Sequence, residues 1–422
     1  MSEKKKLSIV ETFVGCGGSH IGFEGEGFET VFVNDIWSTS LDTLKLNNPK
    51  LNEEKVICED INELCKRNLL KEFKIKKKEL DVLIGGVVCK GFSLAGVRNP
   101  YDDRNYLYIS QLKLVEQFLP KISIIENVPG MKNMKILCRN EYAPTSKKMH
   151  FNITDSVEEI CKEINIVIEK HKKNRGAIIA VNKKLTEGET DELIEQRNII
   201  LEEKKNLDNK RKEYEVKLNK YTYSVLEDIE EKYKELGYRI FINKLKVSNF
   251  GGYTNRIRLI IVAVRNDIEK DWVWPIFTHD DEEEDLPNLL TVRDAFELLD
   301  IENENNPQND IDNKPMNHKS TTIEKFKKIT SEKKSSGFSS RGTSNRLSFD
   351  KPAPTLVPGH SSFQIHPIEH RSITVREGAT ISGFPINYKF CGSHSDRCMQ
   401  IGNAIPVQLG KILAQSAKKI LL

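Results

Sequence analysis

Between Ser8 and about Pro129, short apolar runs alternate with polar, helix-compatible stretches; the runs are SIVETFV, ETVFVND, KVICED, LDVLIGG and ISIIENV. Strands buried on both faces read this way, so the pattern predicts an α/β core in which a mostly parallel sheet is flanked by helices. The pattern changes at about Lys132, where Lys, Glu, Asn and Ile dominate and Val157, Ile160, Ile164 and Val167 keep helical spacing. Leu193, Ile200, Leu207, Tyr214 and Tyr221 then recur every seven residues, predicting a second long helix. Arg197, Lys204 and Arg211 occupy the partner heptad positions, which favours an antiparallel hairpin within the chain over a free coiled coil. After Tyr223 the α/β pattern resumes with a helix to Leu236 and the strands RIFINKLKV and RLIIVAVR. An acidic stretch from Asp280 to Asp285 then opens a segment expected to be loop-rich as far as Leu347. The closing IGNAIPVQLGKILAQSAKKIL predicts a turn followed by an amphipathic helix.

Composition narrows the picture only a little. A chain of 422 residues, 38% apolar, has material for two or three structural units. Its net charge of +3 does not by itself indicate a nucleic-acid partner; any such affinity would need a local basic surface. HKSTTIEKFKKITSEKKSSGFSSRGTSNR offers one, mixing Lys and Arg with Ser, Thr and Gly in a way that suits phosphates and base edges, with a solvated linker as the alternative. The eight cysteines include no C-x-x-C pair, so neither a zinc site nor a disulfide framework is expected and a reducing cytosol is the natural setting. Glu11 interrupts the apolar run near the basic start, and no window approaches the length of a membrane span, so neither export nor membrane insertion is expected.

Two constellations carry candidate chemistry. Phe13-Val14-Gly15-Cys16-Gly17-Gly18 follows the first apolar run and precedes a helix-compatible stretch. That places a glycine loop at a strand-to-helix turn, where backbone can approach a ligand. Asp35 ends the next run and Asp60 the third, positions suited to ribose and base contacts. With no P-loop lysine and no G-x-G-x-x-G cradle, a cofactor without phosphates is favoured; S-adenosylmethionine fits, its adenosine using Asp35, Ile36 and Asp60 and its methionine end the glycine loop. The second constellation is Gly85-Gly86-Val87-Val88-Cys89-Lys90-Gly91-Phe92-Ser93, directly after the strand LDVLI. Cys89 sits there in a glycine-flanked turn beside a lysine, a setting that lowers thiol pKa, whereas Cys16, Cys58 and Cys161 read as small buried hydrophobes. Glu126 closes ISIIENV. A thiolate attacking a pyrimidine ring needs an acid near the ring nitrogen, which gives Cys89 and Glu126 a joint rationale.

These motifs resemble the DNA cytosine-5 methyltransferase family. Phe13 to Gly18 resembles its first motif, Gly85 to Ser93 its G-G-P-P-C-Q-x-F-S motif, and Glu126-Asn127-Val128 its E-N-V motif. Arg256-Ile257-Arg258 resembles the end of Q-x-R-x-R, while RLSFDKPAPTL, IHPIEHRSITVREGATISGFP and QIGNAIP resemble the closing motifs, in the same order. The resemblance implies a Rossmann-like catalytic domain, a small loop-rich target-recognition domain and a helical insertion. The implied division is catalytic 1–131, insertion 132–222, catalytic 223–265, target recognition 266–345 and catalytic 346–422. It further implies that Cys89 attacks C6 of a flipped cytosine, Glu126 holds N3 and the exocyclic amine, and Arg258 binds O2, with Arg256 beside it. Phe13, Gly15, Gly17, Gly18, Asp35, Ile36, Asp60, Ile61 and Asn403 would bind S-adenosylmethionine, and no metal is expected. Double-stranded DNA is the implied partner of a cytoplasmic, nucleoid-associated monomer, with a separately acting restriction endonuclease a candidate companion. Val87 and Val88 stand where the family has two prolines, Lys90 where it has Gln, and Thr254 where Q-x-R-x-R begins; none of these removes a reacting group. An RNA-modifying branch of the fold would carry C-F-T, which is absent here. A silent relative would lack one of Cys89, Glu126 and Arg258, and a coiled-coil protein would explain only the insertion.

Overall fold

The computed structural model describes residues 6–87, 103–138, 155–303, 310–330, 345–357 and 363–422. Strand and helix alternate first: β1 (Ser8–Thr12), α1 (Gly18–Gly25), β2 (Glu29–Asp35), α2 (Ser38–Asn47), β3 (Val56–Cys58), α3 (Ile61–Leu64), α4 (Leu69–Glu72), β4 (Val82–Gly86), α5 (Leu107–Phe118) and β5 (Ile122–Asn127). There follow β6 (Lys135–Leu137), α6 (Asp155–Glu187), α7 (Asp191–Asn219) and β7 (Thr222–Ser224). The remainder is α8 (Val225–Glu235), β8 (Tyr238–Lys246), β9 (Ile257–Arg265), α9 (Val292–Asn303), α10 (Ser320–Lys327), α11 (Val375–Ile381), α12 (His394–Asn403) and α13 (Val407–Leu421). Two compact units result, one from the described residues of 1–89, 107–131 and 229–422, the other from those of 90–106 and 132–228.

The first unit is built on a seven-stranded sheet in the order β3-β2-β1-β4-β5-β9-β8. Each apolar run that the pattern marked as a strand is one. From β1 the chain winds outward to β2 and β3, returns to β4 beside β1, and moves the other way to β5, all in parallel. The crevice between the carboxyl ends of β1 and β4 is therefore a topological switch point, where open α/β sheets hold ligands. Strand β9 runs antiparallel between β5 and β8. Its first residues thus lie at the same edge of the sheet as the last residues of β5, with Asn127 opposite Leu259.

One face of the sheet is closed by α1 and α13. Ile9, Ile84, Ile124 and Val262 pack with Phe23 and with Leu409, Ile412, Leu413 and Ala417. Among the buried positions of α13, Leu409, Ile412, Leu413, Ser416, Ala417 and Ile420 keep the three- and four-residue spacing of one helix face, with Gly410 and Ala414 buried beside them. Burial of each large aliphatic side chain there contributes roughly 1.5–3 kcal/mol, which fastens the end of the chain to its first strand-helix turn.

The secondary structure differs from the sequence expectation in two places. The segment expected to be loop-rich contains α9 and α10. Val292, Ala295, Phe296 and Leu299 of α9 are buried at helical spacing, and the first three join Leu347, Ala353, Ile373, Val375 and Phe384 in one core. The apolar face of VRDAFELL is short and follows an acidic stretch, so it stands out poorly from its surroundings. Second, the glycine and asparagine of QIGNAIP end a helix, α12, whose start is fixed by a capping box between Ser393 and Asp396; the turn follows it.

In the second unit α6 and α7, of 33 and 29 residues, are joined by residues 188–190 and pair side by side. His171 Nε2 stands 2.7 Å from Asp208 Oδ1, and Asn174 Nδ2 donates to Glu203 Oε2 at 3.0 Å. Thr190 caps α7 by accepting from the Leu193 N–H. At the base, Leu137, Ile164 and Leu218 form a small core with Tyr214 and Tyr221 beside it, and β6 pairs antiparallel with β7.

Candidate active site

The first loop leaves β1 through a run of unusual backbone. Phe13 has φ +53° and Gly17 φ +92°, and a left-handed aromatic residue persists only where its surroundings enforce it. The glycines divide their tasks. A Cβ on Gly18 would stand 2.0 Å from the Ile405 carbonyl oxygen, and one on Gly17 would stand 2.5 Å from Leu44 Cδ1 and 3.0 Å from the Tyr388 hydroxyl. Close protein packing therefore requires glycine at both positions. Gly15 is the one beside free space, with nothing among the described residues within 4 Å of the corresponding point.

Asp35, at the end of β2, binds the loop itself: its carboxylate accepts the Gly15 N–H and the Trp37 N–H, each at 2.9 Å. Burial pushes this carboxyl above its ordinary value, while those backbone donors pull the other way. Ile36 is 66% exposed beside it. Asp60 follows β3, whose Cys58 is opposite Asp35 in register, and caps α3 by accepting the Asn62 N–H at 2.8 Å. The Ile61 side chain is buried, which leaves its backbone for any ligand. Cys58 is exposed, contrary to the expectation of a buried hydrophobe, because it is the last residue of a three-residue strand at the sheet edge. Cys16 is buried, and burial pushes its thiol up.

At the other side of the switch point, Gly86 is opposite Glu126 in the β4–β5 register. Glu126 is 7% exposed, and its Oε1 stands 2.7 Å from Arg258 Nε. Asn127 donates from Nδ2 to the Val87 carbonyl at 3.1 Å and accepts the Val128 N–H at 2.8 Å, so the E-N-V residues hold the last described residue before the cysteine turn. Cys89 lies outside the described residues, as do Val88, Lys90, Gly91, Phe92 and Ser93. The two arginines of R-x-R separate: Arg258 meets Glu126, whereas Arg256 donates from Nη1 to the Gly402 carbonyl at 2.9 Å. Arg256 thus ties the start of β9 to the end of α12, beside the exposed Asn403.

Two buried clusters carry no motif that marks them in the sequence. Glu11, 1% exposed, accepts from the Ser19 hydroxyl at 2.9 Å and lies 2.6 Å from His20 Nδ1. The Thr12 hydroxyl donates to Gln111 Oε1 at 2.6 Å. A carboxylate inside an apolar run was the available signal for the first; nothing marks Gln111.

In the basic segment, Arg346 cannot serve as the phosphate contact expected of it. Its guanidinium donates to the carbonyls of Ile329 and Phe326 at 2.8 Å, of His366 at 2.6 Å and of Glu369 at 2.8 Å, so its donors are committed within the protein. Asp312 pairs with Arg397 at 2.8 Å and with Arg376 at 3.4 Å, fixing residues 310–313 to α11 and α12. Gly337, Arg341 and the rest of 331–344 lie outside the described residues. Among the described residues no group of three or more His, Cys, Asp or Glu could hold a metal ion, and no helix is long and apolar enough to cross a membrane.

A family model for C-5 cytosine-specific DNA methylase matches residues 7–221 and 194–419. Type II methyltransferase M.DdeI of Desulfomicrobium norvegicum is 24% identical over 97% of this chain and 88% of its own. Type II methyltransferase M.Eco47II of Escherichia coli is 26% identical over 98% of this chain and 79% of its own. Among solved structures, a DNA modification methyltransferase encoded within an E. coli prophage superposes with TM-score 0.59 at 20% identity, covering 99% of each chain.

Proposed function

Since the chain belongs to the C-5 cytosine-specific DNA methylase family, and so is a DNA cytosine-5 methyltransferase, we propose that Cys89, Glu126 and Arg258 act on a cytosine flipped out of a specific duplex sequence. Flipping is required because C5 and C6 cannot be reached from above and below inside a stacked duplex. The observation that supports the assignment best is the Glu126–Arg258 pair, 2.7 Å apart and next in register to Gly86, three residues before Cys89.

The Cys89 thiolate forms a bond to C6, and the displaced ring electrons make C5 nucleophilic while Glu126, at N3 and the exocyclic amine, offsets the charge gathering on the ring. Arg258 orients Glu126 and binds O2. Once C5 carries the methyl group, loss of the C5 proton to a base and breakage of the Cys89–C6 bond restore the aromatic ring and free the enzyme. Arg256 acts as a positioning residue through Gly402.

The cofactor edge fits S-adenosylmethionine. The carboxylates of Asp35 and Asp60 and the exposed Ile36 stand at neighbouring strand ends, and Gly15 faces open space. The chain supplies hydroxyl-accepting and apolar groups there and no P-loop lysine, as suits an adenosine without phosphates. When bound, S-adenosylmethionine supplies the methyl group that C5 takes. Phe13, Gly15, Gly17 and Gly18 line the methionine side, Asp35, Ile36, Asp60 and the Ile61 backbone the adenosine side, and Asn403, exposed at the end of α12, contacts the cofactor. Relatives that are type II methyltransferases support a role in restriction-modification, opposite a separately acting endonuclease.

Sequencing of 5-methylcytosine in DNA from cells expressing the chain tests the whole reading. Methylation should fall on one short recurring sequence and vanish with Cys89→Ser; unmethylated DNA would overturn it.

A further inference from the structure

We propose that His20 is a positioning residue for the cofactor loop, and that its ion pair with Glu11 makes cofactor affinity fall as the solution becomes alkaline. The inference rests on the reading of the glycine loop as the S-adenosylmethionine site.

Glu11 is the fourth residue of β1, and Ser19 and His20 are the second and third of α1, so their contacts bracket residues 12–18 from both ends. All three are buried, at 1%, 4% and 2% exposure. A carboxylate so deep costs several kcal/mol unless it is paired. Its partners are the Ser19 hydroxyl at 2.9 Å and the His20 ring at 2.6 Å. The other ring nitrogen, Nε2, faces Glu24 at 4.0 Å. A neutral imidazole donates from one nitrogen only, whereas here both nitrogens face carboxylates, the arrangement that suits the imidazolium.

The remaining ionisable neighbours do not supply that charge. Tyr388 donates its hydroxyl to the Cys16 carbonyl at 2.6 Å, and burial pushes both its phenol and the Cys16 thiol up, so both stay neutral. On α13, packed against α1, Lys411 is exposed and Lys418 bonds to Glu26. Burial alone would push the His20 ring down, but the Glu11 charge and hydrogen bond, with Glu24 behind them, raise it above its ordinary value.

The direction of the pH effect follows. A histidine raised in the folded protein keeps its charged pair below the ordinary histidine range and loses it as pH climbs through the raised value. Above that point Glu11, at 1% exposure, faces an uncharged ring. The residues that depend on the clamp are Phe13, held at φ +53°, and Gly15, facing the open side. A strained loop conformation survives only while its supports are intact.

Calorimetry of the full chain with S-adenosylhomocysteine, between about pH 6.5 and 9 in buffers of different ionisation enthalpy, tests this. Wild type should take up a proton on binding at alkaline pH and lose affinity by on the order of fivefold across the range. His20→Asn keeps a donor towards Glu11 without the charge; it should bind more weakly at neutral pH and show a flat profile with no proton uptake. A flat wild-type profile, or a His20→Asn profile that falls as wild type does, overturns the role of His20. The wild-type arm stands even if the variant fails to fold. Failure of wild type to bind at any pH overturns the cofactor reading itself, a separate result.

Discussion

Arg258 Nε stands 2.7 Å from Glu126 Oε1, with the two side chains 10% and 9% exposed. The pair joins two strands that are far apart in sequence but adjacent in the sheet, and it couples folding to chemistry at one point. Glu126→Gln keeps the shape and should lower turnover about 100-fold or more, since an amide cannot supply the acid function; near-normal turnover rejects that role. Arg258→Ala leaves a buried charge unpaired and should cost about 3 kcal/mol in urea unfolding, whereas the double variant should recover part of that loss.

Cys89→Ser should abolish methyl transfer while DNA binding persists, because a hydroxyl is a far weaker nucleophile at neutral pH. Wild type should form a covalent adduct, stable to denaturation, with duplex DNA carrying 5-fluorocytosine, whose fluorine blocks the final elimination. An active serine variant would sink the assignment.

The loop glycines should separate by assay. Gly18→Ala drives a methyl group into the Ile405 carbonyl oxygen, 2.0 Å away, and backbone yields poorly, so it should lose roughly 1–3 kcal/mol of stability. Gly15→Ala meets nothing within 4 Å among the described residues, but its φ is +57°, a strain of about 1–2 kcal/mol. It should lower cofactor affinity measured by calorimetry with a smaller fall in Tm. Equal Tm losses for the two would refute this division.

Specificity should reside in residues 266–345. Exchanging that region for its equivalent from a related enzyme should transfer the donor's methylation target, while shortening α6 and α7 should leave the target unchanged. Arg346 should be kept in such an exchange, because its carbonyl contacts join 326–329 to 366–369. A changed target on shortening the helices would assign recognition to the second unit instead.

The strands, the glycine loop and the acidic strand ends were legible because each rests on a local signal: an apolar run, a turn residue, a charge at a run's end. The α6–α7 pair was legible through its period. Helix α9 was obscured by the acidic and polar residues around its short apolar face. Beyond the grouping of Cys89, Glu126 and Arg258 that the family resemblance implied, long-range partnerships were not legible. Gly18 needs no side chain because of Ile405, and Arg256 reaches Gly402, which no local pattern can express. Arg346 shows the converse: basic composition suggested an outward role, and the fold turned the side chain inward. Glu11 reads in sequence only as a break in an apolar run, and its meaning appears when His20 is folded onto it.

The packing of α13 on α1 has a consequence for biosynthesis. The ribosome makes the glycine loop well before what holds it: the Tyr388 hydroxyl that bonds Cys16 lies 372 residues further on, and the Ile405 carbonyl and the apolar face of α13 come later still. A nascent chain can therefore form its early strands well before it owns a finished cofactor loop. Methylating competence should arise only once α13 has emerged and packed, and a chain cut short before α13 that keeps Cys89, Glu126 and Arg258 should be inert.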